Sequence, residues 1–211
     1  MAKQTTVQLV QPVSDGMISY SNEAAMPMGR VRVIIDGRTP LLTHNPQSMG
    51  SVPEAGRGTR VPEAEVEAEA GCYRLPDGTL AIKGEAFRAT ILNAAGAWKA
   101  KRGSMKSRLG HIVVLEELVP LALHDGTPLN SYTIDARRAI VQRQGIIRRR
   151  PRFDEWTCTF TIEFDPQLVS DAKLIVDILQ DAGGRMGVGD YRPARNGWFG
   201  RFAVRSYQVL D

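Results

Sequence analysis

A β-branched apolar run and a stretch of period-two alternation, the mark of a half-buried strand, single out two β-strands. The first is Val31-Arg32-Val33-Ile34-Ile35-Asp36-Gly37, closed by a glycine turn. The second covers residues 157–164, where Cys158, Phe160, Ile162 and Phe164 take one face and Thr157, Thr159, Thr161 and Glu163 the other. Apolar runs at 112–115 and 119–123, the latter ended by Asp125-Gly126, and a closing run to Gln208 read as further strands. Spacings of three and four take over in two segments. Phe87, Ile91, Ala94, Ala95 and Trp98 form the stripe of a helix that opens at Lys83-Gly84-Glu85 and stops near Gly103. Leu174, Ile175, Ile178 and Leu179 form a second, with Ser170 as N-cap, Asp171 in the first turn and Gly183 beyond the end.

Between these elements the pattern fades. Residues 1–30 have no periodicity and read as an N-terminal arm, able to pack on a neighbouring subunit. Residues 45–71 mix Pro, Gly, Ser and Glu with hardly any large apolar side chain, which predicts a long insertion loop. Residues 131–147 and 157–164 look like the arms of one basic hairpin with a long connection, spanning 131–164. Residues 31–211 then make one domain, with the order strand, helix, strands, helix, strand. That succession predicts an α+β fold, a ferredoxin-like or RRM-like antiparallel sheet with helices on one face.

Composition narrows the class. At 211 residues, 43% hydrophobic and 24% charged, the chain has enough apolar material for a core, which excludes long disorder. Two cysteines, Cys72 and Cys158, are too few for a disulfide framework and read as reduced thiols. No run approaches the roughly 20 apolar residues of a membrane span, and the polar start has no signal-peptide core, so no membrane partner and a cytoplasmic location are expected.

The net charge of +4 is very uneven. Residues 54–70 hold five glutamates against two arginines, whereas residues 134–153 hold seven arginines against Asp135 alone. Arginine pairs bidentately with phosphate and stacks on bases, so the cluster Arg137, Arg138, Arg143, Arg148, Arg149, Arg150 and Arg152 suits nucleic acid. A solvated strand face would have the same composition.

The glycine-rich segment at 183–202 places Gly187 and Gly189 among Arg185, Tyr191, Arg192, Arg195, Trp198 and Arg201. Its glycines let backbone approach a ligand, its amides and arginines suit phosphate, and Tyr191 and Trp198 offer stacking surfaces. A tight helix-to-strand turn with Trp198 and Phe199 in the core is the other reading. No Gly-Lys-Ser/Thr follows the glycines, so a mononucleotide loop is unsupported, and Gly187-x-Gly189 alone is no dinucleotide signature. His44, His111 and His124 are far apart and no Cys-x-x-Cys occurs, so neither metal nor cofactor is expected.

Four places lie in order along residues 31–208: Thr39-Pro40-Leu41 after the first strand, Ile82-Lys83-Gly84-Glu85-Ala86-Phe87-Arg88 opening a helix, the basic segment 137–153 feeding the strand 157–164, and the glycine-rich 183–202. In these the chain resembles the RAMP superfamily of CRISPR systems, RRM-fold RNA-binding proteins with a glycine-rich loop before the last strand. It is also similar to proteins of tailed phages and prophages. The resemblance implies a subunit like the backbone of CRISPR effector complexes, a homo-oligomer or filament along single-stranded RNA, with other effector subunits as further partners. Lys83, Gly84 and Arg88 would meet phosphate at the helix opening. The glycine-rich loop would make the second contact, and the hairpin would cross the strand or reach a neighbour. A phage relative would coat single-stranded DNA or serve assembly, the hairpin meeting an acidic surface such as residues 54–69 of a neighbour. Guide-processing members are endoribonucleases with a histidine soon after the first strand, a placement that His44 shares, with Lys83 as the nearby cation. Target-cleaving members use an acidic loop residue, for which Asp36, Asp135 and Asp190 are candidates by location.

Overall fold

Strand β1, Gly29–Gly37, covers the expected strand and alternates in burial, with Val31, Val33 and Ile35 fully buried and Arg30 and Arg32 exposed. The computed structural model of the chain describes residues 27–46, 63–100, 103–141 and 144–210. Within them β1 is a central strand. It pairs antiparallel with β9, Thr157–Phe164, on one side and with β10, Phe202–Leu210, on the other. Two short strands in line, β5 (Val113–Val114) and β6 (Leu118–Ala122), share the far edge of β9. Beyond β6 come β4, Leu80–Lys83, and β3, Tyr73–Arg74, giving the antiparallel order β10-β1-β9-β6-β4-β3.

Helices α2, Gly84–Ala95, and α4, Ala172–Arg185, cover one face of this sheet. Their stripes, Phe87, Ile91, Ala94 and Ala95 in one and Ile175, Ile178, Leu179 and Ala182 in the other, are fully buried. Phe87 stacks on Phe160 at 4.4 Å between ring centroids and meets Phe202 edge-on at 6.1 Å, which locks α2 over the middle of the sheet. The opposite face carries the exposed Arg32, Thr159, Ser206 and Gln208. A short helix, α3 (Met105–Arg108), joins α2 to β5. The fold is α+β with a mostly antiparallel sheet and four helices among the described residues. No helix there is long and apolar enough to cross a membrane.

Four boundaries differ from the sequence reading. The hairpin pairs β7, Thr133–Val141, with β8, Gln144–Phe153, and with β2, Leu41–Leu42, makes a separate sheet β2-β8-β7. β9 is no arm of it. Pro151 concealed β8, since proline is rare inside sheets. The Pro151 carbonyl accepts from Thr43 N–H at 3.4 Å, so its missing N–H points the same way, toward the two-residue β2, and the β7 ladder stays intact. The segment read as an insertion loop contains helix α1, Ala64–Ala70, while residues 47–62 lie outside the described ones. Alanine and glutamate are strong helix formers, and the packed side of α1 is only Ala68 and the stem of Glu67. The N-cap of α4 is Asp171, whose carboxylate accepts from Lys173 N–H at 2.8 Å, and the helix runs through Gly183 to Arg185. Helix α2 ends at Ala95, well before Gly103.

A carboxylate completes the main sheet in the gap between β5 and β6. Both oxygens of Glu116 accept from the Thr161 N–H, at 2.8 and 3.0 Å. Thr161 is buried, so its amide has no recourse to water. Replacing Glu116 by alanine is expected to cost about 1–3 kcal/mol, and by glutamine less, because an acceptor remains. Urea denaturation of the two variants measures the difference, and equal midpoints would exclude this role.

Candidate functional site

The turn after β1 is pinned from below and above. Trp156, fully buried, donates through Nε1 to the Thr39 carbonyl at 2.9 Å. The glycine-rich loop clasps the same stretch: Gly200 N–H donates to Pro40 O at 2.8 Å, Asp190 N–H to Leu42 O at 2.8 Å, and Thr39 Oγ1 to Trp198 O at 2.8 Å. Helix α2 is tied in through Thr90, whose hydroxyl donates to Gly187 O at 2.8 Å. The amides of Val188, Asp190, Phe199, Gly200 and Arg201 all donate within the protein. Those amides are therefore not a phosphate cradle; the loop serves as a fixed frame for side chains.

Four segments of the chain thereby line one cleft of about 490 Å³. Thr43 and His44 line it after β2, Tyr73 from β3, Ile82 and Lys83 from β4, Glu85, Ala86, Arg88 and Ala89 from the start of α2, and Gly189, Asp190 and Arg192 from the loop. A second hollow of about 320 Å³ shares Lys83, Glu85 and Arg88 and extends along residues 113–117. Gly84 sits where a Cβ would fall 2.0 Å from Glu116 O, so glycine is required for α2 to start against that segment.

Charge in the cleft is mostly cationic and unevenly committed. Lys83 Nζ lies 3.7 Å from Glu85 Oε1, an exposed pair that holds it weakly. Arg192 is anchored by one donor, Nη1 to Gly189 O at 2.8 Å. Burial and then Arg195 lower its pKa against the pull of Asp190, yet guanidinium stays charged. Arg88 is more fully used, Nε donating to Ile112 O and Nη2 to Gly110 O, both at 2.7 Å.

His44 titrates below its ordinary 6.5, chiefly because burial disfavours the cation. Asp190 and Glu67 oppose that shift and Arg150 and Arg148 add to it. The fold thus prefers neutral imidazole. This contribution to stability is complete above about pH 6.5 and is lost as pH falls through the lowered folded value. The parent protein is expected to lose more melting temperature than His44→Gln between about pH 7 and about pH 5. Equal losses would show that His44 is not the group responsible. Tyr73 donates its hydroxyl to the His44 carbonyl at 3.5 Å, and burial, then Glu85, raises its pKa.

Most arginines of the hairpin already have partners, and Arg148 and Arg150 lie near enough to the cleft to act on His44. Arg137 Nε donates to Asp135 at 2.6 Å and its guanidinium lies 4.6 Å over the Phe199 ring. Arg148 and Arg149 share Glu67, at 3.6 and 3.3 Å. Arg150 is bonded to Asp190 at 2.6 Å and covers Tyr191 at 5.0 Å, and Arg152 pairs with Asp154. Arg185 pairs with Asp181, and Arg201 donates to Gly184 O at 3.1 Å. Arg138 and Arg195 are exposed and have no carboxylate partner among the described residues. Trp198 is 51% exposed while Phe199 is buried, so of the two aromatics that the tight-turn reading places in the core only Phe199 is there. Arg143 lies outside the described residues.

The sequence pattern thus points to Lys83, Gly84, Arg88, Gly189, Arg192 and His44, which the fold does bring together. It does not reveal Tyr73, which sits in a two-residue strand with no periodicity to mark it. Nor does it reveal Glu67, Asp154 and Asp190 as the counter-charges of the hairpin. Of the other acidic candidates, Asp36 pairs with Arg205 at 2.6 Å and Asp135 with Arg137, both away from the cleft lining. Among the described residues no group of three His, Cys, Asp or Glu side chains is placed to hold a metal ion. Compared with protein-family models and with curated proteins, the chain matches none.

Proposed function

We propose that the protein binds single-stranded nucleic acid with little regard to sequence and oligomerises along it, in the manner of the backbone subunit of CRISPR effector complexes. The observation that carries this reading is the convergence of the turn after β1, the start of α2 and the glycine-rich loop on one cationic cleft. The strand order adds to it. Taking β1, β5 with β6, β9 and β10 as first to fourth, with α2 and α4 as the crossovers, the sheet reads fourth, first, third, second. That order is the one expected of a ferredoxin-like fold and supports the RAMP-like reading. The open face of the sheet presents no aromatic among the described residues of β1 and β9, which favours the cleft over an RRM-type stacking surface.

Affinity for an oligouridylate should fall with salt. If Lys83, Arg138, Arg192 and Arg195 carry the phosphate contacts, the log–log slope is about −3, at roughly −0.7 per phosphate. Unchanged affinity between about 50 and about 500 mM salt would remove the proposal. The same assay with oligodeoxythymidylate decides between RNA and single-stranded DNA. Nuclease treatment of the purified particle tests the assembly: an oligomer that survives digestion without nucleic-acid absorbance is held by protein alone.

A second reading, metal-independent RNA cleavage, is favoured by one observation: His44 is a neutral base in the cationic cleft that holds Lys83. Structured RNA incubated in EDTA with the parent and with His44→Ala decides it, since equal inactivity leaves binding alone.

A further inference from the structure

The cleft offers more than charge. Its floor is apolar where Ile82 and Ala86 line it, and Tyr73 adds an aromatic ring that is only partly buried. The volume of about 490 Å³ falls in the range of small-ligand sites. A track that held phosphates alone would need neither a ring nor an apolar floor. We infer that the cleft receives one unstacked base of the bound strand, against Tyr73, while the flanking phosphates meet Lys83 and Arg192 at its rim. This rests on the nucleic-acid reading above and deepens it.

The geometry supports each part. The Tyr73 hydroxyl reaches the His44 carbonyl at 3.5 Å, a long contact that biases the ring's orientation before any ligand arrives. Lys83 Nζ lies 5.9 Å from the ring centroid, at the outer limit of a cation–π contact. Held that loosely, the ammonium can turn outward to a phosphate as a base takes its place over the ring. Polar groups around the cleft include donors on Lys83 and Arg192 and acceptors on Asp190 and Thr43, a mixture that suits the edges of any base. The site therefore selects for a base being present and hardly for which base it is. Neutral His44 fits the same purpose, because it adds a flat polar group without a charge that a base would have to desolvate. The alternative stacking surface, exposed Trp198, lies outside this lining.

Photocrosslinking tests the inference on the full chain. An oligouridylate carrying 4-thiouridine, and in parallel an oligodeoxythymidylate carrying 4-thiothymidine, is bound, irradiated and mapped by mass spectrometry. The expected attachment is at Tyr73 or His44. Tyr73→Ala should weaken binding about 5- to 150-fold, the loss of one stacked base, and Tyr73→Phe should retain most of the affinity. Salt-sensitive binding with cross-links only at Trp198 or the hairpin, and a Tyr73→Ala variant that binds like the parent, would overturn the base site and leave the nucleic-acid reading standing. Absence of binding to both probes at low salt would sink both. If Tyr73→Ala fails to fold, the cross-link map of the parent still decides.

Discussion

Exchanging Lys83 and Arg192 together for glutamate is expected to weaken binding of a single-stranded oligonucleotide by about 100-fold or more. Hydrogen bonds to charged groups contribute about 1.5–3 kcal/mol each, and reversal adds repulsion to the loss. These are the cleft cations with spare capacity: Lys83 has an exposed carboxylate at 3.7 Å and a ring at 5.9 Å, and Arg192 donates to one carbonyl. Arg137→Gln and Arg152→Gln should change affinity less than about 5-fold, because Asp135 and Asp154 already offset those charges. Since Arg192 also braces the glycine-rich loop, Lys83→Glu alone belongs in the series, with an expected loss of about 10-fold. Circular dichroism and melting temperature must match the parent for the comparison to count. The proposed track is wrong if the hairpin variants lose binding and the cleft variants keep it.

That ranking inverts the one that charge along the chain suggests. Read linearly, the seven arginines of residues 134–153 are the obvious phosphate track, and the five glutamates of residues 54–70 an acidic loop that would meet them only on a neighbouring copy. Folding lays α1 against β8, where Glu67, only 9% exposed, serves Arg148 and Arg149 at once. Contact between the basic hairpin and the acidic segment thus occurs within one chain at Glu67. Long-range pairing of this kind leaves no periodic trace, and neither does a two-residue strand such as the one that delivers Tyr73. What periodicity does report is burial on one face. The alternation of Val31, Val33 and Ile35 and of Phe160 and Ile162, and the helical spacing of Phe87 and Ile91, were legible because each of those side chains packs into one core. The cleft was legible only in part, through the cations at the opening of α2 and the glycines before β10. Residues such as Glu116, whose carboxylate stands in for a missing strand, become intelligible only when the neighbouring edge is known.

Gly200→Ala is expected to cost about 3–5 kcal/mol of stability. Gly200 has φ of +66°, and a Cβ there would fall 1.8 Å from the Val188 carbonyl oxygen, a backbone atom that cannot swing aside. Relief requires the loop to open. Opening breaks the bond from Val188 N–H to Gly200 O at 2.9 Å and that from Gly200 N–H to Pro40 O at 2.8 Å, and loosens the buried Val188 and Phe199. Gly78→Ala isolates the backbone share of the cost. Its φ is +89° but nothing lies within 4 Å of the added carbon, so it should cost only about 1–2 kcal/mol. Urea denaturation of the pair measures the difference, and costs within about 1 kcal/mol of each other would show that the loop yields more readily than its packing implies. Binding gives the sharper readout. Gly200 does not line the cleft, yet its bond to Pro40 holds the loop that carries Gly189, Asp190 and Arg192 against the turn that carries His44. Gly200→Ala should therefore lose oligonucleotide affinity under conditions in which it is still folded, whereas Gly78→Ala should bind like the parent.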